Sequence, residues 1–297
     1  MATGILARLT GRTAELPAAH RDAIVRLLSA PKYELIPLKN VHEQAALIPR
    51  GSLVSVTASP AKGIEATVEL AEQLLAGGLR PVVHLSARMI RDRAHLAALL
   101  ARTKASGIER AFVVGGDADE PGEFLDALSL LRAMADLGHH FAEVGVGCYP
   151  DGHMDIPDDA LLRALRDKAP YATYMATQMC FDPRKIGAFI AARRAEGIGL
   201  PVHLGVPGVA EMAKLVQISA RIGVKDSQRF MRKNVRLVGQ LVRPGGYRPD
   251  GLLEGLGSVL ADPAAKVEDL HLYTFNQVET TEEWRRNYLA ALGAPVA

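Results

Sequence analysis

Glu34 stands where the sequence should be apolar. It interrupts the strand-like run 33–38 (YELIPL), and an ionised carboxylate buried without a partner is costly enough that it tends to take up a proton instead. A strand that keeps such a group either pairs it with a cation (Lys39, Arg50 or another basic residue) or uses it as an acid. Other residues able to do chemistry fall at the ends of apolar runs: Thr57, His84, Asp117, Cys148 with Tyr149, Gln178 and Asn276. Each has a plain alternative. Asp117 follows two glycines in GGDADEPG, where an aspartate commonly opens a turn or caps a helix, and Gln178 reads equally as a satisfied strand terminus.

Several chemistries have no signal. None of the nine histidines falls in an HExxH pattern, which speaks against a metal centre. The two cysteines, Cys148 and Cys180, have neither metal-ligand nor disulfide-framework spacing and read as packed small hydrophobes. There is no GxGxxG and no P-loop, so any nucleotide has to be held outside a Rossmann-type site.

The elements that must position these residues alternate in type. Strand candidates lie at 33–38, 53–57, 81–85, 111–114, 142–148, 173–178, 201–205 and 270–275, with helical patterns between them. In 123–137, for example, Phe124, Leu128, Leu131 and Ala135 recur at helical spacing. Glycines such as Gly107, Gly138 and Gly197 end helices or open connections. Eight strands, the first seven each followed by a helix, predict an α/β fold, a parallel (β/α)8 TIM barrel, whose usual size of about 250 residues suits this chain. Residues 1–30 are expected to form an N-terminal helical extension and 31–297 a single barrel domain, with extra helices between Gly208 and the last strand. In such a barrel, function gathers at the carboxyl ends of the strands.

Composition narrows the partners. With 48% hydrophobic and 23% charged residues the chain is a globular one, and a net charge of only +2 argues against a nucleic-acid partner. No run approaches the roughly 20 apolar residues of a membrane span, and Arg8, Arg12 and Arg21 break up any secretory core, so the expected location is the cytoplasm. Arg229, Arg232, Lys233 and Arg236 recur at helical spacing. They form either a solvated face or a landing site for an anionic ligand.

The order of short motifs then becomes informative. YELIPLKN resembles the Phe-Glu-Phe-Phe-Pro opening strand of methylenetetrahydrofolate reductases. SVT at 55–57, His84-Leu85, Gly116-Asp117, Tyr149-Pro150 with His153, Thr177-Gln178 with Phe181-Asp182, and YT-x-N at 273–276 follow in the family's order. The resemblance covers roughly 33–276 and implies reduction of methylenetetrahydrofolate to methyltetrahydrofolate. It makes Glu34 the general acid, Asp117 the charge beside the pterin and Gln178 a hydrogen-bonding partner of the pterin edge. Thr57 and Asn276 fall on the substrate side, and His84, Tyr149, His153, Lys168 and Met212 at cofactor positions. Burial would keep Glu34 protonated, as an acid requires.

The departures concern the flavin. Gly115 replaces an arginine before Gly-Asp, ASPAKG at 58–63 replaces a glycine-rich loop, and Gln277 stands where an arginine often follows the asparagine. The segment 162–169 (LRALRDKA) keeps Lys168 but carries Ala164 and Asp167 where Asn and Arg are expected, and Met212 replaces an aromatic. Lost arginine contacts remove phosphate clamps. These changes imply a reductase without bound FAD, taking hydride directly from NADH or NADPH, with a reduced folate, polyglutamylated or not, as substrate. The basic stripe would meet the glutamate tail or the dinucleotide phosphates. The alternatives are an FAD- or deazaflavin-dependent reductase of the same folate, and a non-catalytic folate-binding paralogue. Retention of both Glu34 and Asp117 argues against the last. Neither the choice of NADH over NADPH nor the oligomeric state is written in the sequence.

Overall fold

The computed structural model describes residues 15–153, 155–209 and 248–295. Eight parallel strands, β1 (Lys32–Leu35), β2 (Leu53–Val56), β3 (Arg80–Ser86), β4 (Arg110–Val114), β5 (Glu143–Cys148), β6 (Tyr174–Thr177), β7 (Val202–Pro207) and β8 (Val267–Tyr273), close in sequence order into one barrel. The seam is β1 against β8, with Lys32 opposite His271 and Glu34 opposite Tyr273. This is the (β/α)8 barrel that the alternation predicts.

Strand side chains alternate between two environments. On β1, Tyr33 and Leu35 are fully buried toward the helices, while Lys32 and Glu34 face the barrel interior, where they meet His203 and His271. The outer layer is an ordinary apolar core: Val54, Val83, Leu85, Val113, Val146, Leu204 and Leu272 are each at most 1% exposed. Truncating any one to alanine is expected to cost about 1–5 kcal/mol.

The surrounding helices are α1 (Ala18–Ser29), α2 (Val41–Ala45), α3 (Ile64–Ala76), α4 (Arg93–Ala105), α5 (Ala127–Asp136), α6 (Asp158–Lys168), α7 (Pro183–Ala195), α8 (Asp250–Gly255), α9 (Gly257–Ala261) and α10 (Val278–Ala291). Three starts are set by aspartate caps. Asp92 accepts from His95 N, Asp126 from Ser129 N and Asp182 from Arg184 N. The Phe181-Asp182 motif is therefore a helix-capping device, with Pro183 at the first helical position. Asp126 and Ser129 form a reciprocal capping box, so α5 begins at Ala127 and leaves Phe124, though buried, outside the helix that the periodicity suggested from 123.

Helix α1 lies in the expected N-terminal extension and buries Ala23, Ile24, Leu27 and Leu28. It is tied to the barrel through α10: Arg285 donates to the Leu28 carbonyl at 3.0 Å and clamps Glu282 at 2.7 and 2.9 Å. Glu282 in turn accepts from the Tyr33 hydroxyl. The outer face of β1 is thus held by a buried ionic cluster, which fixes the strand that carries Glu34. Strand β8 starts at Val267, three residues before the expected 270, because Asp269 faces the polar interior and makes this end look like a loop in sequence. Among the described residues no helix is long and apolar enough to cross a membrane.

Candidate active site

The barrel interior is polar in two tiers. At the amino-terminal end of the strands, Lys32 Nζ donates to His203 Nδ1 at 2.7 Å, lies 4.0 Å from Asp269 Oδ2 and sits 4.3 Å above the Tyr174 ring. His203 stacks on the same ring at 3.8 Å. Gly145 makes room, since a Cβ there would come within 2.2 Å of the Tyr174 ring. Burial lowers the Lys32 ammonium to about 8, opposed by the nearby Asp269 and Glu143 charges. Burial, with the Lys32 charge next, pushes His203 down to about 2, so its Nδ1 is free to accept.

The upper tier contains Glu34. Its Oε2 lies 3.1 Å from His271 Nε2, and its side chain keeps 16% exposure against 3% for His271. Thr274 Oγ1 donates to the Glu34 carbonyl at 2.6 Å. The partner of the carboxylate is therefore a histidine from the far end of the chain; Lys39 and Arg50 are both exposed. Beside this pair, His84 Nε2 and Ser55 Oγ are 2.6 Å apart, and His84 packs on Phe112 at 4.9 Å. Burial first, then the His271 and Lys32 charges, lower His84 to about 3 and keep it neutral.

The YT-x-N motif is a set of ties. Tyr273 donates to the Thr177 carbonyl at 2.9 Å, Thr274 holds Glu34, and Asn276 accepts from Ile36 N and donates to Ile36 O, both at 2.9 Å. The second amide hydrogen of Asn276 reaches Asn40 Oδ1 at 3.3 Å. Its amide is engaged with the segment that follows β1.

At the carboxyl-terminal rim, Asp117 is exposed after Gly116, whose φ of +85° suits glycine; a Cβ there would also meet Ser86 Oγ at 1.8 Å. The Asp117 charge reaches Tyr149, whose hydroxyl is raised by burial first, then by Cys148 and Asp117. Tyr149 meets His153 edge to face at 5.5 Å, and His153 is exposed. Gln178 is exposed at the end of β6, with its Oε1 turned back to Met179 N at 2.9 Å. Thr57 is half-buried just beyond β2, and its backbone N–H donates to the Leu35 carbonyl at 3.0 Å. Lys168 stands apart from the interior group, half-buried, with Nζ 3.4 Å from the Gly147 carbonyl. Met212, Arg229, Arg232, Lys233 and Arg236 lie outside the described residues.

A cavity of about 290 Å³ opens beside the end of β5, lined by Tyr149, Asp158, Asp159, Leu162, Phe189 and Arg193 among others. Both cysteines are free and buried, and burial pushes the Cys148 thiol up to about 12, which suits packing and not nucleophilic chemistry. Sequence reasoning did not name His271, and it met Ser55 only as part of the SVT motif, without a role. For His271 the signal was the period-two recurrence of Asp269, His271 and Tyr273 on one strand face.

Comparison with known proteins gives a consistent assignment. The model of the methylenetetrahydrofolate reductase family matches residues 28–287. Methylenetetrahydrofolate reductase 1 of Schizosaccharomyces pombe is 26% identical over 190 residues, which are 60% of this chain and 31% of that protein. The chain thus spans about a third of the length of that curated relative. Solved structures with a similar trace include a class V chitinase mutant of Cycas revoluta in complex with (GlcNAc)3, at 11% identity, TM-score 0.49, and coverage of 88% of this chain and 99% of that one. Oxaloacetate acetylhydrolase with its product oxalate follows at 13% identity, TM-score 0.46, and coverage of 82% and 96%. Neither likeness bears on the chemistry.

Proposed function

The chain belongs to the methylenetetrahydrofolate reductase family, and from that premise we propose that it reduces 5,10-methylenetetrahydrofolate to 5-methyltetrahydrofolate with hydride taken directly from NADH. The observation that carries this reading is the seating of Glu34. It is a carboxyl group on the inner face of β1, partly open, with its side chain held by His271 and its backbone by Thr274.

In this reading Glu34 protonates the arylamine nitrogen of the substrate. The bond from that nitrogen to the methylene carbon breaks, and the carbon stays on the pterin nitrogen as an iminium cation. Asp117, on the rim after β4, steadies the cation through its negative charge. Hydride from NADH adds to the iminium carbon, giving the methyl group and NAD+, and Glu34 regains a proton from solvent. Thr57 after β2 and Gln178 after β6, on opposite sides of the barrel mouth, hold the folate between them. Tyr149 and His153 line the rim on the donor side. Asn276 serves the substrate indirectly, by fixing Ile36 and with it the end of β1.

The residues present do not fit the FAD of the wider family. The first turn of α6 carries Asp158 and Asp159, which oppose an anion at the helix N-terminus. Two of the arginines close by are already paired, Arg163 with Asp159 at 2.6 Å and Arg193 with Glu196 at 2.8 Å, and Lys168 is turned to the Gly147 carbonyl at 3.4 Å. A diphosphate would meet carboxylates where it needs donors.

The test is a visible absorption spectrum of the purified protein, then NADH oxidation with methylenetetrahydrofolate, with and without added FAD. A colourless protein with folate-dependent oxidation that FAD does not raise is expected. A stoichiometric flavin reduced during turnover would overturn the direct route and favour a flavin-dependent reductase. Folate binding without turnover would leave a binding protein.

A further inference from the structure

We infer that His271 is a positioning residue for the acid, presenting an Nε2–H to Glu34 Oε2 so that the transferable proton rides on Oε1. The inference rests on the assignment of Glu34 as the acid. Nothing in the family resemblance pointed to this histidine; the geometry does.

Three observations build it. First, the contact is specific: His271 Nε2 and Glu34 Oε2 are 3.1 Å apart, within hydrogen-bond range, across the β1–β8 seam that closes the barrel. Second, His271 is enclosed. Its side chain is 3% exposed, with the Tyr273 ring at 4.8 Å and the Phe112 ring at 6.4 Å, so the imidazole has little freedom to turn away. Third, the carboxylate is fixed from its backbone as well. Thr274 grips the Glu34 carbonyl at 2.6 Å, and Asn276 brackets the backbone of Ile36. His271, Thr274 and Asn276 all come from β8 or the turn that follows it.

The chemistry decides which tautomer is useful. If Nε2 were bare, the acid would point its O–H at the imidazole, and the proton would be held against the barrel wall. With a hydrogen on Nε2, Oε2 accepts, and the proton of the neutral acid is left on Oε1. When the proton has moved to the substrate, the same N–H stabilises the new carboxylate by a charge-assisted bond. One donor thus orients the acid and supports its conjugate base. The groups around this pair are Lys32 on β1, His84 on β3, Phe112 on β4, His203 on β7, and Asp269 and Tyr273 on β8. The Coulombic influence of His271 is felt at His84, His203 and Asp269.

The test compares His271→Gln, whose side-chain amide supplies a hydrogen close to the place of Nε2, with His271→Met, which has similar length and no donor. The Met variant should lose roughly 10- to 100-fold in kcat, with KM for the folate within about twofold of the parent. The Gln variant should recover most of that loss. Equal rates in the two variants would reduce His271 to packing and overturn the inference. Should the Met variant fail to unfold cooperatively, the wild-type protein decides: nitrogen NMR, with the ring assigned through the Gln variant, should show a protonated Nε2, and a bare Nε2 opposite Glu34 overturns the inference. Glu34→Gln is measured alongside. Full activity in that variant would remove the acid assignment itself, a failure separate from that of His271.

Discussion

The side-chain amide of Asn276 brackets the backbone of Ile36, accepting from its N–H and donating to its carbonyl, each at 2.9 Å. Two residues upstream of Ile36 lies Glu34, so the turn after β8 sets where the acid stands. Asn276 holds this position with φ at +52°, a left-handed conformation that asparagine tolerates better than most residues. Replacing Asn276 by Ala should therefore remove both ties and add backbone strain, costing about 2–4 kcal/mol of stability. Because the acid would shift relative to the substrate, kcat should fall at least about tenfold while the folate KM changes little. Thermal unfolding and steady-state kinetics on the same preparation check this. A large KM effect with unchanged kcat would instead put the amide in contact with substrate.

His84 makes stability sensitive to acid. Its folded value is about 3 against an ordinary 6.5, because burial disfavours the imidazolium. Between those pH values the unfolded chain binds the proton and the folded chain does not, so stability falls as pH drops through this window. The wild type should lose on the order of 4 kcal/mol from this residue between pH 6.5 and 3. His84→Gln, which has no titrating ring, should show a flatter acid limb in denaturant unfolding. His203, lowered to about 2, contributes in the same direction and remains in both proteins. Parallel acid limbs would mean that His84 is solvated in solution.

How much of this was legible beforehand depended on whether the determining contact was local. The eight strands were readable because each apolar run is bounded by turn residues, and the outward-facing positions are mostly apolar. Glu34 was visible as an exception to that rule. Its partner was not, because His271 lies 237 residues away and meets it only when β8 closes on β1. Barrel closure is not encoded in any window of sequence. The same holds for Lys32 and Asp269, which read as ordinary strand flanks until the interior brings them to 4.0 Å. Lys168 shows the converse. A motif position could be carried over, but whether the ammonium faced a ligand depended on how the end of α6 packed, and it packed against β5.

Lys32 gives the opposite end of the pH scale. Its folded value is about 8 and its ordinary one 10.5, chiefly because burial disfavours the ammonium. Below pH 8 the lysine is charged in both states and the burial cost is fully present. Between 8 and 10.5 the unfolded chain holds more protons, so stability rises with pH as that cost is relieved. Relative to Lys32→Met, the wild type should gain about 2–3 kcal/mol across this interval. Urea unfolding of both proteins at several pH values measures the difference, and a constant gap would show that Asp269 and His203 hold the ammonium charged throughout.

Glu34→Gln separates turnover from binding. The amide keeps the length and planarity of the carboxyl group, and its oxygen can still accept from His271 across the 3.1 Å contact. The Thr274 tie is to the Glu34 backbone and is untouched by the change. What the variant lacks is a transferable acidic proton. General acid catalysis by a placed side chain is worth roughly 10²–10⁴-fold, so folate-dependent NADH oxidation should fall by about that factor. Folate affinity, read by calorimetry, should stay within a few-fold, since the groups proposed to hold the pterin are unchanged. Loss of both together would mean that Glu34 binds the folate instead of protonating it. Survival of both would move the acid elsewhere on the barrel rim, with the Glu34–His271 pair left as a structural link that closes β1 on β8.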